Sequence, residues 1–263
     1  MLEMRHVTVE RGGQEILLDA TLQIAPGEMK GIAGPNGCGK STLLRLLSGL
    51  WQPNTGEVLL DGHELESLDR REIARSISYV PQDEHVTFGY TVEEIVRMGR
   101  YPHRGRFAPE GSADRRVVKD SMDRCDVTHL RKRAVRTLSG GELQRVLIAR
   151  SLAVEATYIL LDEPTASLDL EHALDVYELC RQLTEEGKAV LIVTHDLNAL
   201  ARYASEAVLL DAGRIVGNGP CPDVLTTVNL EKTFGVSAEM LTSRDGHIVY
   251  VFHQRNDRRK RAG

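Results

Sequence analysis

Eight residues near the start of the chain limit its fold more than any others: Gly34-Pro35-Asn36-Gly37-Cys38-Gly39-Lys40-Ser41. They fill every fixed position of the pattern GxxxxGK[ST], a loop that cradles phosphate where a strand passes into a helix. The flanks fit that context. Met29 to Ala33 reads as a short strand ending in the glycine-rich loop. Lys40 to Leu50 reads as a helix, with Leu43, Leu44 and Leu47 on one face and Gly49 near its end. The glycines let backbone N–H groups turn toward phosphate oxygens, and the helix N-terminus adds partial positive charge. Lys40 is placed to reach the β- and γ-phosphates, and the Ser41 hydroxyl to ligate Mg²⁺. Thr42, next in the first helical turn, is grouped with the loop as nucleotide-binding. Cys38 occupies a variable position and reads as a small filler rather than a reactive thiol. The loop alone specifies a nucleoside triphosphate, not the machine that uses it.

The remaining elements read as a parallel α/β core with an insertion. Val7 to Glu10 and Ile16 to Ile24 are early strands split by a turn at Gly12-Gly13, and Gly56 to Leu60 and Ile77 to Val80 follow. From about Thr91 to Ser151 strand signals vanish and charged helical stretches such as Arg115 to Cys125 take over. Apolar strands at Tyr158 to Leu161 and Ala189 to Val193 then alternate with a helix presenting Ala173, Val176, Tyr177 and Cys180 on one face. Ala207 to Leu210 and Arg214 to Val216 form a predicted hairpin, and Val236 to Phe252 regains strand character. Buried strands alternating with amphipathic helices imply a sheet covered on both faces.

Tyr158 to Leu161 runs directly into Asp162 and Glu163. A strand buried on both faces brings its C-terminal carboxylates to the edge where the phosphate loop lies. There Asp162 is placed to hold Mg²⁺, directly or through water, and Glu163 to orient or deprotonate the attacking water. A second anion site is written upstream, at Leu138-Ser139-Gly140-Gly141-Glu142-Leu143-Gln144. Ser139 is a good helix N-cap, and Gly140 and Gly141 free backbone N–H groups at that helix start.

This stretch resembles the signature sequence of ABC-type ATPases, and the other marks of that family stand in order. Gln82, after Tyr79-Val80-Pro81, resembles the Q-loop glutamine, Ser167-Leu168-Asp169 the D-loop, and His195 the switch histidine. The resemblance covers nearly the whole chain. It implies a P-loop NTPase (RecA-like) α/β core with an antiparallel β subdomain, formed by residues 1–86 and 151–263, and an all-helical insertion over 87–150. It also implies a head-to-tail homodimer in which Mg²⁺-ATP lies between one chain's phosphate loop and the other's Ser139, Gly140, Gly141 and Asp169. Glu163, His195 and Gln82 would then serve catalysis, with Ser41, Gln82 and Asp162 around the metal. Two residues depart from the family pattern: Glu142 replaces a frequent Gln, and no aromatic stands near Arg11 to stack on adenine. Arg11 offers its guanidinium plane for that role.

Within the family, Tyr90 to His103 resembles the ATPases of importers for iron–siderophore complexes, haem and cobalamin, with molybdate or tungstate importers as relatives. The implied partners are an integral membrane permease and, indirectly, a periplasmic or surface substrate-binding protein. Apolar Val92, Ile95, Val96 and Met98 alternate with Arg97, Arg100, Arg104 and Arg106, which the resemblance reads as a rim for a permease helix. A soluble ABC ATPase, such as an iron–sulfur assembly factor, is the alternative that this stretch disfavours.

Composition sets the compartment. Hydrophobic residues make up 41% and charged residues 27%, and the net charge of -5 gives no general attraction to nucleic acid. The longest apolar runs fall far short of the ~20 residues that span a bilayer, and the first residues lack a signal-peptide core. The expected location is the cytoplasmic face of the cell membrane, reached through the permease. Cys38, Cys125, Cys180 and Cys221 form no CxxC pair, and His63, His85, His103, His129 and His172 form no ligand set. The basic residues Arg255, Arg258, Arg259, Lys260 and Arg261 read as a solvated tail, or as a weak contact with anionic lipid.

Overall fold

A computed structural model describes residues 1–82, 89–104 and 111–254 of the 263. His85, Arg106, Phe107 and the basic residues of the tail lie outside them. In chain order the elements are β1 (Leu2–Arg11), β2 (Gln14–Ile24), β3 (Met29–Ala33), α1 (Lys40–Leu47), β4 (Thr55–Leu60), β5 (His63–Glu64), α2 (Arg70–Ser76) and β6 (Ile77–Val80). Three helices follow: α3 (Val92–Met98), α4 (Ser112–Arg124) and α5 (Gly140–Leu152). Then come β7 (Tyr158–Asp162), α6 (Leu170–Glu185), β8 (Ala189–Val193), α7 (Leu197–Tyr203), β9 (Glu206–Asp211) and β10 (Arg214–Pro220). The described chain closes with α8 (Cys221–Val224), α9 (Thr227–Phe234), β11 (Val236–Thr242) and β12 (Ile248–Gln254).

The central sheet has the order β10-β9-β3-β8-β7-β6. Its strands from β9 to β6 pair parallel, and β10 returns antiparallel against β9. Every residue of β3, β7 and β8 is buried, which is why these strands are largely apolar; in β3 the buried Lys30 pairs with Glu206 at 2.7 Å and donates to the Gln23 carbonyl. Successive side chains point to opposite faces. Ile32, Leu160, Leu191 and Val208 join α1 and the β1–β2 strands in one hydrophobic cluster. Their neighbours Ala33, Ile159, Val190 and Leu209 join α5, α6 and α7 in the other. The first cluster is capped by a second, antiparallel sheet of order β2-β1-β4-β5.

Between β6 and β7 the described residues contain helices and no strand. Val92, Ile95 and Val96 turn inward and belong to the same cluster as α6 and β8. A capping box opens α3, where the Thr91 hydroxyl accepts from the Glu94 N–H and the Glu94 carboxylate accepts from the Thr91 N–H. Arg100 corrects its reading as a rim charge. It is 6% exposed, pairs with Asp114 at 3.0 Å and Glu155 at 2.7 Å, and donates to the Ala153 carbonyl. It ties α3 to the start of α4 and the end of α5. Arg97 pairs with Glu93 one turn back, at 2.9 Å.

Two elements extend the sequence reading. The first helix ends at Leu47 rather than Leu50, because Gly49 adopts a left-handed φ of 68° and turns the chain out of the helix. The last strand region is a hairpin, β11–β12, held against α7 by Asn198. The Asn198 carbonyl oxygen accepts from the Tyr250 N–H at 2.7 Å and its amide donates to the Tyr250 carbonyl at 3.3 Å. No helix among the described residues is long and apolar enough to cross a membrane.

Candidate active site

The sheet order brings the site together. The phosphate loop follows β3, His195 follows β8, Glu163 follows β7 and Gln82 follows β6, so all four lie at the C-terminal edge of neighbouring parallel strands. This is where open α/β sheets bind their ligands. They line one cavity of about 550 Å³ together with Ile16, Asn36, Gly37, Gly39, Lys40, Ser41 and Thr42.

The loop is shaped by its glycines. Gly39 has a φ of 110°, and a Cβ there would fall 2.8 Å from Leu17 and 2.9 Å from the Ile16 carbonyl. Only glycine combines that backbone with that close approach. Lys40 is 6% exposed, and its ammonium donates to the Gly34 and Pro35 carbonyls at 2.8 and 3.0 Å. Cys38 is buried beneath Gly34, and burial pushes its thiol pKa up, consistent with a filler.

Asp162 is 1% exposed, and its Oδ2 accepts from the Tyr79 hydroxyl at 3.3 Å. Its Oδ1 is buried without any hydrogen-bond partner. Burial raises the carboxyl pKa, while the Ser41 and Tyr79 hydroxyls act in the opposite direction. A buried carboxylate oxygen left bare beside a serine hydroxyl is the donor set a hard divalent cation takes. Ser41 and Asp162 therefore fit Mg²⁺.

Glu163 has a left-handed φ of 49°, a backbone that costs on the order of 1–3 kcal/mol for a non-glycine residue. Its N–H donates to the Val193 carbonyl at 3.0 Å. Its Oε1 lies 2.8 Å from His195 Nε2, and its Oε2 accepts from the Gln82 amide at 3.0 Å. Three residues that are far apart in sequence thus meet at one carboxylate.

The signature residues stand elsewhere. Ser139 caps α5 in a reciprocal box with Glu142, which also pairs with Arg133 at 3.0 Å. A carboxylate at this position thus has two structural partners of its own. A Cβ on Gly141 would lie 3.3 Å from the Ser167 carbonyl and from Leu168, so the start of α5 rests on the turn that leads to Asp169. Asp169 caps α6 and accepts from the His172 N–H at 3.0 Å. Ser139, Gly140, Gly141 and Asp169 form this second cluster and do not line the phosphate-loop cavity. Arg11 does not line it either; its guanidinium lies 4.2 Å from the Trp51 ring centroid.

Sequence reasoning missed Tyr79, Arg45, Trp51 and Ile16. Tyr79 carried one signal, a hydroxyl in a strand that needs a polar partner. Arg45 and Trp51 carried none, because their partners come from other elements.

Residues 17–166 match the ABC transporter family. The hemin import ATP-binding protein HmuV of Bordetella parapertussis is 39% identical over 91% of this chain and 94% of its own length. The cobalamin import ATP-binding protein BtuD of Halobacterium salinarum is 43% identical over 89% of this chain, which spans only 58% of that relative. Among solved structures, the dimeric ATP-binding cassette MJ0796 with ADP and Pi superposes with a TM-score of 0.75 at 31% identity, covering 84% of this chain and 99% of that one. A phosphate loop, an acidic strand end and a second capped helix start in this order, matched over most of the chain, place it in the ABC transporter family as an ATP-binding cassette.

Proposed function

We propose that the chain binds and hydrolyses Mg²⁺-ATP as a head-to-tail homodimer. It does so on the cytoplasmic face of a membrane permease and drives uptake of a haem, cobalamin or iron–siderophore type of cargo. The observation that carries the catalytic part is the meeting of His195 and Gln82 on Glu163, beside Lys40 and Asp162. The loop N–H groups and Lys40 bind the phosphates, and Ser41 and Asp162 would hold Mg²⁺. The metal, when bound, neutralises charge on the phosphates. Glu163 orients the attacking water and accepts its proton, while His195 and Gln82 fix the carboxylate's direction. The dimer follows from the second helix start. The Ser139 hydroxyl and the Gly141 N–H lie outside their own chain's cavity, so the nucleotide they serve is a partner's, as the dimeric cassette relative suggests. The cargo class rests on the names of the import relatives.

The insertion offers the permease a surface with exposed aromatic residues. Tyr101 is 56% exposed there and Tyr90 40%, and aromatic residues dominate many interfaces. In proteoliposomes with its permease, Tyr101→Ala should lower transport and transport-stimulated hydrolysis at least several-fold, while the free subunit keeps its basal ATPase activity. Unchanged transport would contradict this docking face.

A further inference from the structure

Trp51 follows α1 and folds back toward it, with its N–H on the Arg45 carbonyl at 3.1 Å. The guanidinium of Arg45 lies 5.1 Å from the indole centroid, and that of Arg11, from the end of β1, lies 4.2 Å from it. The positive charge of Arg45 in turn acts on the Tyr79 hydroxyl. Tyr79 donates to Asp162 Oδ2. These side chains lead from the end of β1 toward the acidic strand end, and the proposed hydrolysis does not otherwise use them.

We propose that Trp51, Arg45 and Tyr79 are positioning residues for Asp162, orienting its carboxylate so that the bare Oδ1 faces the divalent cation. The inference rests on the Mg²⁺-ATP reading above. Without Tyr79 the carboxylate could turn about its last bond and present either oxygen. The hydroxyl fixes Oδ2 and so assigns Oδ1 to the metal. Tyr79 is suited to this task because its hydroxyl already donates to Asp162 Oδ2 from the neighbouring parallel strand. Arg45 limits where that hydroxyl can go, and the indole limits where Arg45 can go. Each residue's effect on the carboxylate weakens with its distance from Asp162. Arg11 is therefore committed to Trp51, not offered to an adenine ring.

The test uses the full chain with Glu163→Gln, so that bound nucleotide persists, and Mn²⁺ as the spectroscopic stand-in for Mg²⁺. Mn²⁺ affinity in the presence of ATP is read by electron paramagnetic resonance, and ATP affinity in EDTA by fluorescence. Loss of a hydrogen bond behind a metal ligand costs roughly 10–100-fold in metal affinity. With a donor at 3.3 Å, Tyr79→Phe is expected at the low end, about tenfold weaker for Mn²⁺, with ATP binding in EDTA unchanged. Trp51→Leu should shift Mn²⁺ affinity the same way by less, and Trp51→Phe, which keeps an aromatic ring, should restore most of it. Mn²⁺ affinity within twofold of the parent in Tyr79→Phe would overturn the proposal, as would an equal loss of metal-free ATP binding. If the parent itself binds no Mn²⁺ with ATP, the Mg²⁺-ATP reading fails instead.

Discussion

Nε2 of His195 lies 2.8 Å from Oε1 of Glu163, although 32 positions separate them in the chain. The contact exists because β7 and β8 are parallel neighbours that end at the same edge, with Asp162 opposite Val193 in register. In the proposed mechanism Glu163 deprotonates water, and His195, with Gln82, holds its carboxylate in place. His195→Ala should therefore lower kcat on the scale of a general-base contribution, about 10²-fold or more, and leave the KM for ATP within a few-fold. Steady-state kinetics check this. An unchanged kcat would remove His195 from the catalytic group.

Arg100 separates a structural charge from a docking charge. Removing one partner of a buried ion pair costs about 3–5 kcal/mol, so Arg100→Glu should destabilise the chain by that order in urea unfolding. The Asp114 carboxyl shows the sign with pH. The hydrogen bond from Arg100 holds its pKa below the ordinary value in the folded state. Its stabilisation is thus complete above the unfolded pKa of about 3.9, and is lost as pH falls through the lower native value. Asp114→Asn should cost stability at pH 7, with the difference from the parent shrinking below roughly pH 4. A constant difference across that range would contradict the pairing.

Base selectivity should be weak. The cavity wall beside the loop offers Ile16, an aliphatic side chain, where a stacked aromatic would contribute ~1–3 kcal/mol per base in nucleic-acid sites. Turnover with GTP should approach that with ATP, and Arg11→Ala should leave the ratio unchanged, because Arg11 rests on Trp51. A strong ATP preference that Arg11→Ala abolishes would show that Arg11 serves as the stacking plane after all.

The parts of this architecture that sequence reveals are those governed by local rules. Ala189–Val193 stands out because a strand buried on both faces is apolar along its length. The phosphate loop stands out because backbone geometry requires its glycines. Helix α2 carries little signal, since Ile73 is its only buried residue and arginines fill much of the rest. The Gln82–Glu163–His195 meeting has no signature in spacing, because it depends on the order β8-β7-β6. The burial of Arg100 is equally hidden in the sequence. Nothing near it in sequence shows that Asp114 and Glu155 close over it. Tyr79 looked like any strand aromatic until the adjacent strand placed Asp162 within reach of its hydroxyl.

The central claim is that ATP joins two copies of this chain, each supplying half of every site. Glu163→Gln keeps Lys40, Ser41 and Asp162 to bind Mg²⁺-ATP and removes only the proton acceptor. Gel filtration of Glu163→Gln with and without Mg²⁺-ATP tests the claim most directly. The account predicts a monomer without nucleotide and a stable dimer with it, undone by Ser139→Arg, which would block the second helix start. A Glu163→Gln chain that binds ATP and remains monomeric, or that hydrolyses ATP at the parent's rate, would contradict it.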